Sequence, residues 1–261
     1  MPAELGRLAR SSGRLAIDTE FMSERRYQAQ LCLAQVAVPD QGAPDGVRTA
    51  LLDPIEDPDL DPSPVAEALA DPSVEIVVHA GRQDVAILRR TWQTDITNVF
   101  DTQVAAGFLG HGGQIGYSAL VRRVLEYDVA GGEAFTRWDQ RPLTDQQKEY
   151  ALADAAHLLE LGELLARQLD ERGRLQWARE ECAPVESSSD ERDPDTVFRK
   201  LGNVDRLKPR ARGLARALVE WRDKAAREAD RPPGSIVPDH ALIELARRAP
   251  GSKHDLEAIR G

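Results

Sequence analysis

Nowhere does the 261-residue sequence hold 18 uncharged apolar residues in a row, which excludes a membrane-spanning helix. Residues 1–14 mix charges with single leucines and lack the apolar stretch of a secretory signal, so a cytoplasmic location is expected. Cysteine is scarce. Cys32 lies in an apolar run, Cys182 stands apart, and neither belongs to a Cys-x-x-Cys pair. Zinc-ribbon and dithiol redox chemistry are thereby excluded, and both thiols are expected to be reduced. The cluster Gly110-His111-Gly112-Gly113 lacks the Gly-Lys-Ser/Thr ending of a phosphate loop. The acidic stretch 53–64 (DPIEDPDLDPSP) lacks the glycine and terminal glutamate of an EF-hand and reads as a solvated loop. Asp18-Thr19 is followed by Glu20, not by the glycine of an aspartic-protease signature.

What is present suits a globular protein of one large or two smaller domains, with 41% apolar and 30% charged residues. A net charge of −10 argues at first against a nucleic-acid partner, but the charge is unevenly placed. Residues 1–195 carry 19 basic against 35 acidic side chains, a net of −16, and residues 196–261 carry 15 against 9, a net of +6. A basic module behind an acidic one is a partner signal. The acidic part can hold phosphate where metal ions neutralise its site.

Apolar, β-branched runs predict strands over 14–21, 30–38 and 49–52, joined by short links as an antiparallel meander. Residues 74–79 (VEIVVH) form a continuous apolar strand of the buried, parallel kind, and 98–101 a further short one. Helices are predicted from Pro64 to Ala70, over 84–90, after Asp101 to Leu109, and over 118–127; residues 129–141 read as a loop. Thr144 with Gln147 three residues on is a capping box that opens the longest helical stretch, to about Glu181, with Gly173 as a possible break. Three more helices are predicted near 210–229, 239–248 and from 253. The organisation expected is a mixed α/β domain over 1–182, a serine- and proline-rich linker over 183–195, and a small all-α domain over 196–261.

The chemistry concentrates at Asp18 and Glu20. On a strand, side chains two apart leave the same face, so two carboxylates point at one spot and repel by roughly 1–4 kcal/mol. A hard divalent cation between them would relieve this. Asp84 follows a buried strand after a short turn, where an α/β sheet builds its crevice, although a carboxylate at a helix start also serves as a cap. Tyr150 and Asp154, four apart on the capped helix, share a face with about 6 Å of rise between them.

Together these residues resemble the three motifs of the DEDD superfamily of 3′–5′ exonucleases: Asp18-x-Glu20 on a strand, His79-Ala-Gly-Arg-Gln-Asp84 after an apolar strand, and Tyr150-x-x-x-Asp154 on a helix. The superfamily's other branch has a histidine where Glu149 stands, so the chain is similar to the tyrosine branch. Asp18-Thr-Glu-Phe21, Asn98-Val-Phe-Asp-Thr-Gln103 and Gln140-Arg-Pro-Leu-Thr144 resemble the bacterial ribonuclease D family. The tail, with Trp221-Arg222 and Pro238-Asp-His-Ala-Leu242, is similar to an HRDC domain. That family usually carries two such domains, so the tail is expected to be incomplete at its C-terminus.

The resemblance implies a ribonuclease H-like mixed β-sheet flanked by helices and two divalent ions, Mg²⁺ or Mn²⁺. Asp18, Glu20 and Asp154 would bind one ion directly, Asp18 would reach the second, and Asp84 would act through water. Tyr150 would orient the attacking water. Four carboxylates and two dications roughly cancel before phosphate arrives. Phe21 and Trp138 are candidates to stack on terminal bases, and Gln103 to touch sugar or base. Phe21 suits a core position equally well. The implied partner is an RNA 3′ end, such as a tRNA precursor; no membrane and no obligate protein partner is implied. A 3′–5′ DNA exonuclease and a non-catalytic nucleic-acid-binding protein are the alternatives.

Overall fold

The computed structural model describes residues 1–129 and 137–259; most of the loop expected over 129–141 lies outside the described residues. The chain divides into two units. One is Met1–Met22 with Leu31–Ser189, and the other is Ser23–Gln30 with the residues from Asp190 onward.

The first unit opens with α1 (Pro2–Ser12), an element the sequence reading does not include. Strands β1 (Arg14–Met22), β2 (Gln30–Pro39) and β3 (Val47–Leu52) follow, then α2 (Ser63–Ala70), β4 (Glu75–Val78), α3 (Arg82–Trp92), β5 (Val99–Asp101), α4 (Thr102–Leu109), α5 (Tyr117–Val124), α6 (Asp145–Glu171) and α7 (Leu175–Glu186). The sheet order is β3-β2-β1-β4-β5. β2 and β3 are antiparallel, while β1 with β4 and β4 with β5 are parallel. β4 is buried at all four positions, as a parallel strand inside the sheet must be.

The long helical stretch is two helices. Gly173 adopts a φ of 64°, a left-handed conformation that glycine takes without steric cost. The capping box of α6 is formed: the Thr144 hydroxyl accepts from Gln147 N at 3.2 Å, and Gln147 Oε1 accepts from Thr144 N at 2.8 Å. Ahead of it, Arg141 donates to Asp53 Oδ2 at 2.8 Å and to the carbonyls of Cys32 and Trp138, both at 2.8 Å. Asp53, the first residue of the stretch read as a solvated loop, is therefore an anchor for the chain entering α6.

One face of α6 lies close on the sheet. Ala155, Leu158 and Leu159 pack with Ala16, Ala37 and Val77, and a Cβ added at Gly162 would lie 2.5 Å from Val77 Cγ1. No side chain fits there unless helix or strand retreats. Gly162→Val is thus expected to destabilise the protein by at least about 1–3 kcal/mol, the usual cost of overpacking, and to lift Asp154 away from the strands. An unchanged urea midpoint would show that the packing is looser than these distances.

The boundary between the two units, at Ser189 and Asp190, falls inside the stretch 183–195, whose first residues are helical. α7 runs on through Pro184 to Glu186 because Cys182 and Val185 are buried, and Glu186 Oε1 accepts from Val99 N at 3.1 Å. Irregular chain is confined to the few residues before Asp193, whose carboxylate caps α8 by accepting from Asp195 N and Thr196 N. Neither cysteine is in a disulfide, and both are buried.

The second unit comprises α8 (Pro194–Lys200), a 3-10 turn (Val204–Arg206), α9 (Pro209–Glu228), α10 (Pro233–Ile236), α11 (Asp239–Arg248) and α12 (Lys253–Glu257). Phe198, Leu201, Val219, Leu242, Ile243 and Ala246 are part of its core. Arg222 is buried and donates to Val237 O at 2.8 Å and Asp239 Oδ1 at 2.7 Å, while Trp221 is half exposed. The segment Ser23–Gln30 belongs to this unit through Tyr27. The Tyr27 hydroxyl donates to Asp223 Oδ1 at 2.7 Å and accepts from Arg227 at 3.3 Å, and the Arg192 and Arg227 guanidiniums sit 5.5 and 5.4 Å from its ring centroid. Among the described residues no helix is long and apolar enough to cross a membrane.

Candidate active site

Asp18 and Glu20 leave the same face of β1 as Ala16, and Ala16 packs against α6. That face therefore looks toward the helix that carries Tyr150 and Asp154. Thr19 lies between the two acids and points to the other face, where its hydroxyl donates to Asp84 Oδ1. Asp84 is the third residue of α3; Gly81 holds the N-cap position without a side-chain cap. The carboxylate is buried and is held by Thr19, and it also accepts from its own backbone N–H in the first turn of α3.

The turn that delivers Asp84 is built by Asp101. Its Oδ1 accepts from Ala80 N and Gln103 N, and its Oδ2 from Gly81 N, each at 2.9 Å. Ala80 is held at a φ of 51°, a region that non-glycine residues rarely adopt. A Cβ at Gly81 would lie 2.5 Å from Val78 Cγ2, so the turn doubles back tightly over the end of β4.

The carboxylates are strained electrostatically. Burial, then the charges of Asp84 and Asp154, push Asp18 well above the usual carboxylate range, opposed by the Thr19 backbone N–H. Asp84 is pushed up to about 6, chiefly by burial and also by Asp101, with the Thr19 hydroxyl opposing. Asp154, 3% exposed, rises to about 6 through burial, opposed by the Tyr150 hydroxyl. Tyr150 is raised by burial and by the charges of Asp154, Glu20 and Asp18, so its phenol is protonated at neutral pH. Side chains from β1, α3 and α6 thus share one electrostatic environment.

Oxygen donors of this kind suit a hard divalent cation. Asp154 Oδ1 is buried without a hydrogen-bond partner, and lowering the mutual repulsion requires positive charge. Among the described residues no three acidic, histidine or cysteine side chains are drawn together at metal-ligating spacing. The donor set fits such an ion in chemistry.

The other candidates divide. Trp138 is 2% exposed and packs with Cys32, Leu33, Leu143 and Ala151, its ring centroid 6.4 Å from that of Tyr150. It backs the Tyr150 ring and has no open face for a base, which corrects its reading as a stacking residue. Gln103 is half-buried, and its Nε2 donates to Ile115 O at 3.1 Å in the loop before α5. Phe21 is half-buried at the end of β1. His157, on the same helix as Asp154, lies 5.1 Å from the Tyr127 ring.

Thr19 and Asp101 stand inside stretches that carry the resemblance but have no role assigned from sequence, and Tyr117 lies outside every motif. Thr19 is flanked by the two acids, so alternation alone could have marked it as the link to the other face. Asp101 ends a strand beside the motif strand, which is a weaker signal. Tyr117 has no local signal: its hydroxyl donates to the backbone carbonyl of Asp154 at 2.6 Å, and only the packing of α5 on α6 places it there.

With this geometry the chain belongs to the 3′–5′ exonuclease family, whose model matches residues 2–170. An HRDC-domain model matches residues 211–261. Ribonuclease D of Granulibacter bethesdensis is 38% identical over 253 residues, covering 95% of this chain and 60% of that protein. Ribonuclease D of a Jannaschia species is 38% identical over 247 residues, covering 94% and 63%. Among solved structures, Escherichia coli RNase D, described as an exoribonuclease involved in structured RNA processing, matches with a TM-score of 0.88 at 30% identity, over 99% of this chain and 67% of that one. The chain spans about six-tenths of the length of the curated relatives it matches.

Proposed function

We propose that the protein is a metal-dependent 3′–5′ exoribonuclease that trims RNA 3′ ends, such as those of tRNA precursors, and releases nucleoside 5′-monophosphates. The observation that carries this is the convergence of Asp18, Asp84 and Asp154, carboxylates from three separate elements, close enough that the charges of Asp84 and Asp154 add to burial in raising Asp18. Asp18, Glu20, Asp84 and Asp154 would hold two divalent ions, Mg²⁺ or Mn²⁺. When bound, the ions activate water and stabilise the leaving 3′ oxygen.

The chain's own residues do the rest. The Tyr150 phenol keeps its proton, since its pKa is raised, and shares it with Asp154; released from that carboxylate once the ions hold it, the hydroxyl would orient the water, and it does not remove a proton. Trp138 holds the Tyr150 ring from behind. Thr19 keeps Asp84 turned toward β1. Phe21, partly open next to Glu20, can stack on the terminal base. In hydrolysis the water oxygen bonds to phosphorus, the P–O3′ bond breaks, and the departing 3′ oxygen takes up a proton, which leaves a chain one nucleotide shorter with a free 3′-hydroxyl.

Tyr150→Phe is expected to slow turnover by about 10²-fold, in the range for losing one positioned hydrogen-bond donor, with the metal sites intact. A loss as deep as that of a carboxylate variant would place Tyr150 in ion binding instead. The test of the function is a gel comparing 3′-tailed tRNA, single-stranded RNA and single-stranded DNA, each with Mg²⁺, Mn²⁺ or EDTA. One-nucleotide ladders from RNA in metal alone are expected; ladders from DNA only, or no digestion, would overturn the proposal.

A further inference from the structure

On the nuclease function proposed above, we infer that Tyr117 is a positioning residue that fixes Asp154 against the end of β4 and so sets the metal-binding arrangement. Its hydroxyl donates at 2.6 Å to the carbonyl of Asp154, a backbone group inside α6 that also belongs to the helix ladder. A second donor at this short distance pins the helix at the residue whose carboxylate must reach the site.

The ring of Tyr117 is itself held. It meets His79 edge-on, with centroids 5.4 Å apart at 63°. His79 Nδ1 lies 2.9 Å from Thr102 Oγ1, and that hydroxyl donates to Val78 O at 3.0 Å. Val78 ends β4, and Thr102 opens α4 beside the Asp101 that builds the turn before Asp84. A continuous path of contacts therefore runs from the strand that delivers Asp84, through His79 and Tyr117, to the residue that carries the third motif. Tyr117 also packs against two apolar clusters that include residues of α6. Only the O–H bond to the Asp154 carbonyl goes beyond packing.

The experiment uses the full chain, stripped with EDTA and titrated with Mn²⁺ alone by calorimetry at pH 7.5. Tyr117→Phe keeps the ring and removes the hydroxyl. It is expected to weaken Mn²⁺ binding by roughly 10-fold, the low end for loss of an outer-sphere support, and excess Mn²⁺ is expected to restore most of the rate on 3′-tailed RNA. His79→Gln, which removes the edge-on ring, is expected to weaken binding in the same direction by less, and it decides the matter should Tyr117→Phe not fold. Parental Mn²⁺ affinity in the folded variant, even with a lowered melting point, would show that Tyr117 only packs and would overturn the inference. Weakened Mn²⁺ binding in a protein that digests no RNA would leave the positioning role standing and sink the nuclease reading.

Discussion

Asp154→Asn is expected to reduce exonuclease turnover by roughly three orders of magnitude, about 4 kcal/mol of transition-state stabilisation, without loss of folded structure. The two effects separate because of where Asp154 sits. Its carboxylate is 3% exposed, its Oδ1 has no hydrogen-bond partner, and its pKa stands near 6. Burying that charge costs stability in the metal-free protein. A neutral amide of the same shape removes the cost along with the ligand. The variant should therefore melt at the parental temperature or above in EDTA while its product ladder on RNA disappears. Near-parental turnover would remove Asp154 from the chemistry altogether.

The same variant isolates a pH dependence. Asp84 and Asp154 titrate near 6 when folded, against an ordinary value of 3.8. Between about pH 4 and 6 the folded state binds more protons than the unfolded one, so these groups make stability fall as pH rises. His79 and His111 are lowered by burial and act in the opposite sense over part of that window. Both are present in the parent and in Asp154→Asn, so subtraction cancels them. The variant's stability advantage in EDTA is expected to grow from pH 5 to pH 7. Mg²⁺ should erase it in the same range, because ions bind the deprotonated carboxylates. At 100 times its dissociation constant a ligand adds about 2.7 kcal/mol to stability, enough to move the melting midpoint of the parent and not of the variant. Chemical denaturation at the two pH values, with and without Mg²⁺, measures this. An advantage that shrinks toward pH 7 would mean that the Asp154 charge is not buried at a cost.

Much of this site is written in local pattern. Alternation on β1 places Asp18 and Glu20 on one face, the capping box starts α6 at the residue read from Thr144 and Gln147, and the i to i+4 spacing puts Tyr150 beside Asp154. Helix ends were legible where a backbone device marks them, as at Gly173. What was not legible depends on contacts far apart in sequence. Trp138 follows a polar stretch and looks like an available aromatic ring, yet Arg141, anchored on Asp53, folds it under Cys32 and Leu33. The stretch 183–195 has the composition of a linker, but Cys182 and Val185 find burial and draw the helix on through Pro184. Tyr117 is an ordinary aromatic at a helix start until α6 is packed beside it. Composition does not report which residue a distant apolar neighbour will capture.

The second unit is discontinuous in sequence, and this changes what a deletion can mean. Tyr27 lies only a few residues beyond Glu20, yet its phenol and ring are satisfied by Arg192, Asp223 and Arg227. Cutting the chain near residue 190 would not excise a free-standing tail. It would strip an aromatic residue of its hydroxyl acceptor and both cations a short step from the nuclease strand, so a defect in the shortened protein would not by itself speak to RNA affinity. Point substitutions on the outward side of α9, which spare Asp223 and Arg227, separate those two effects.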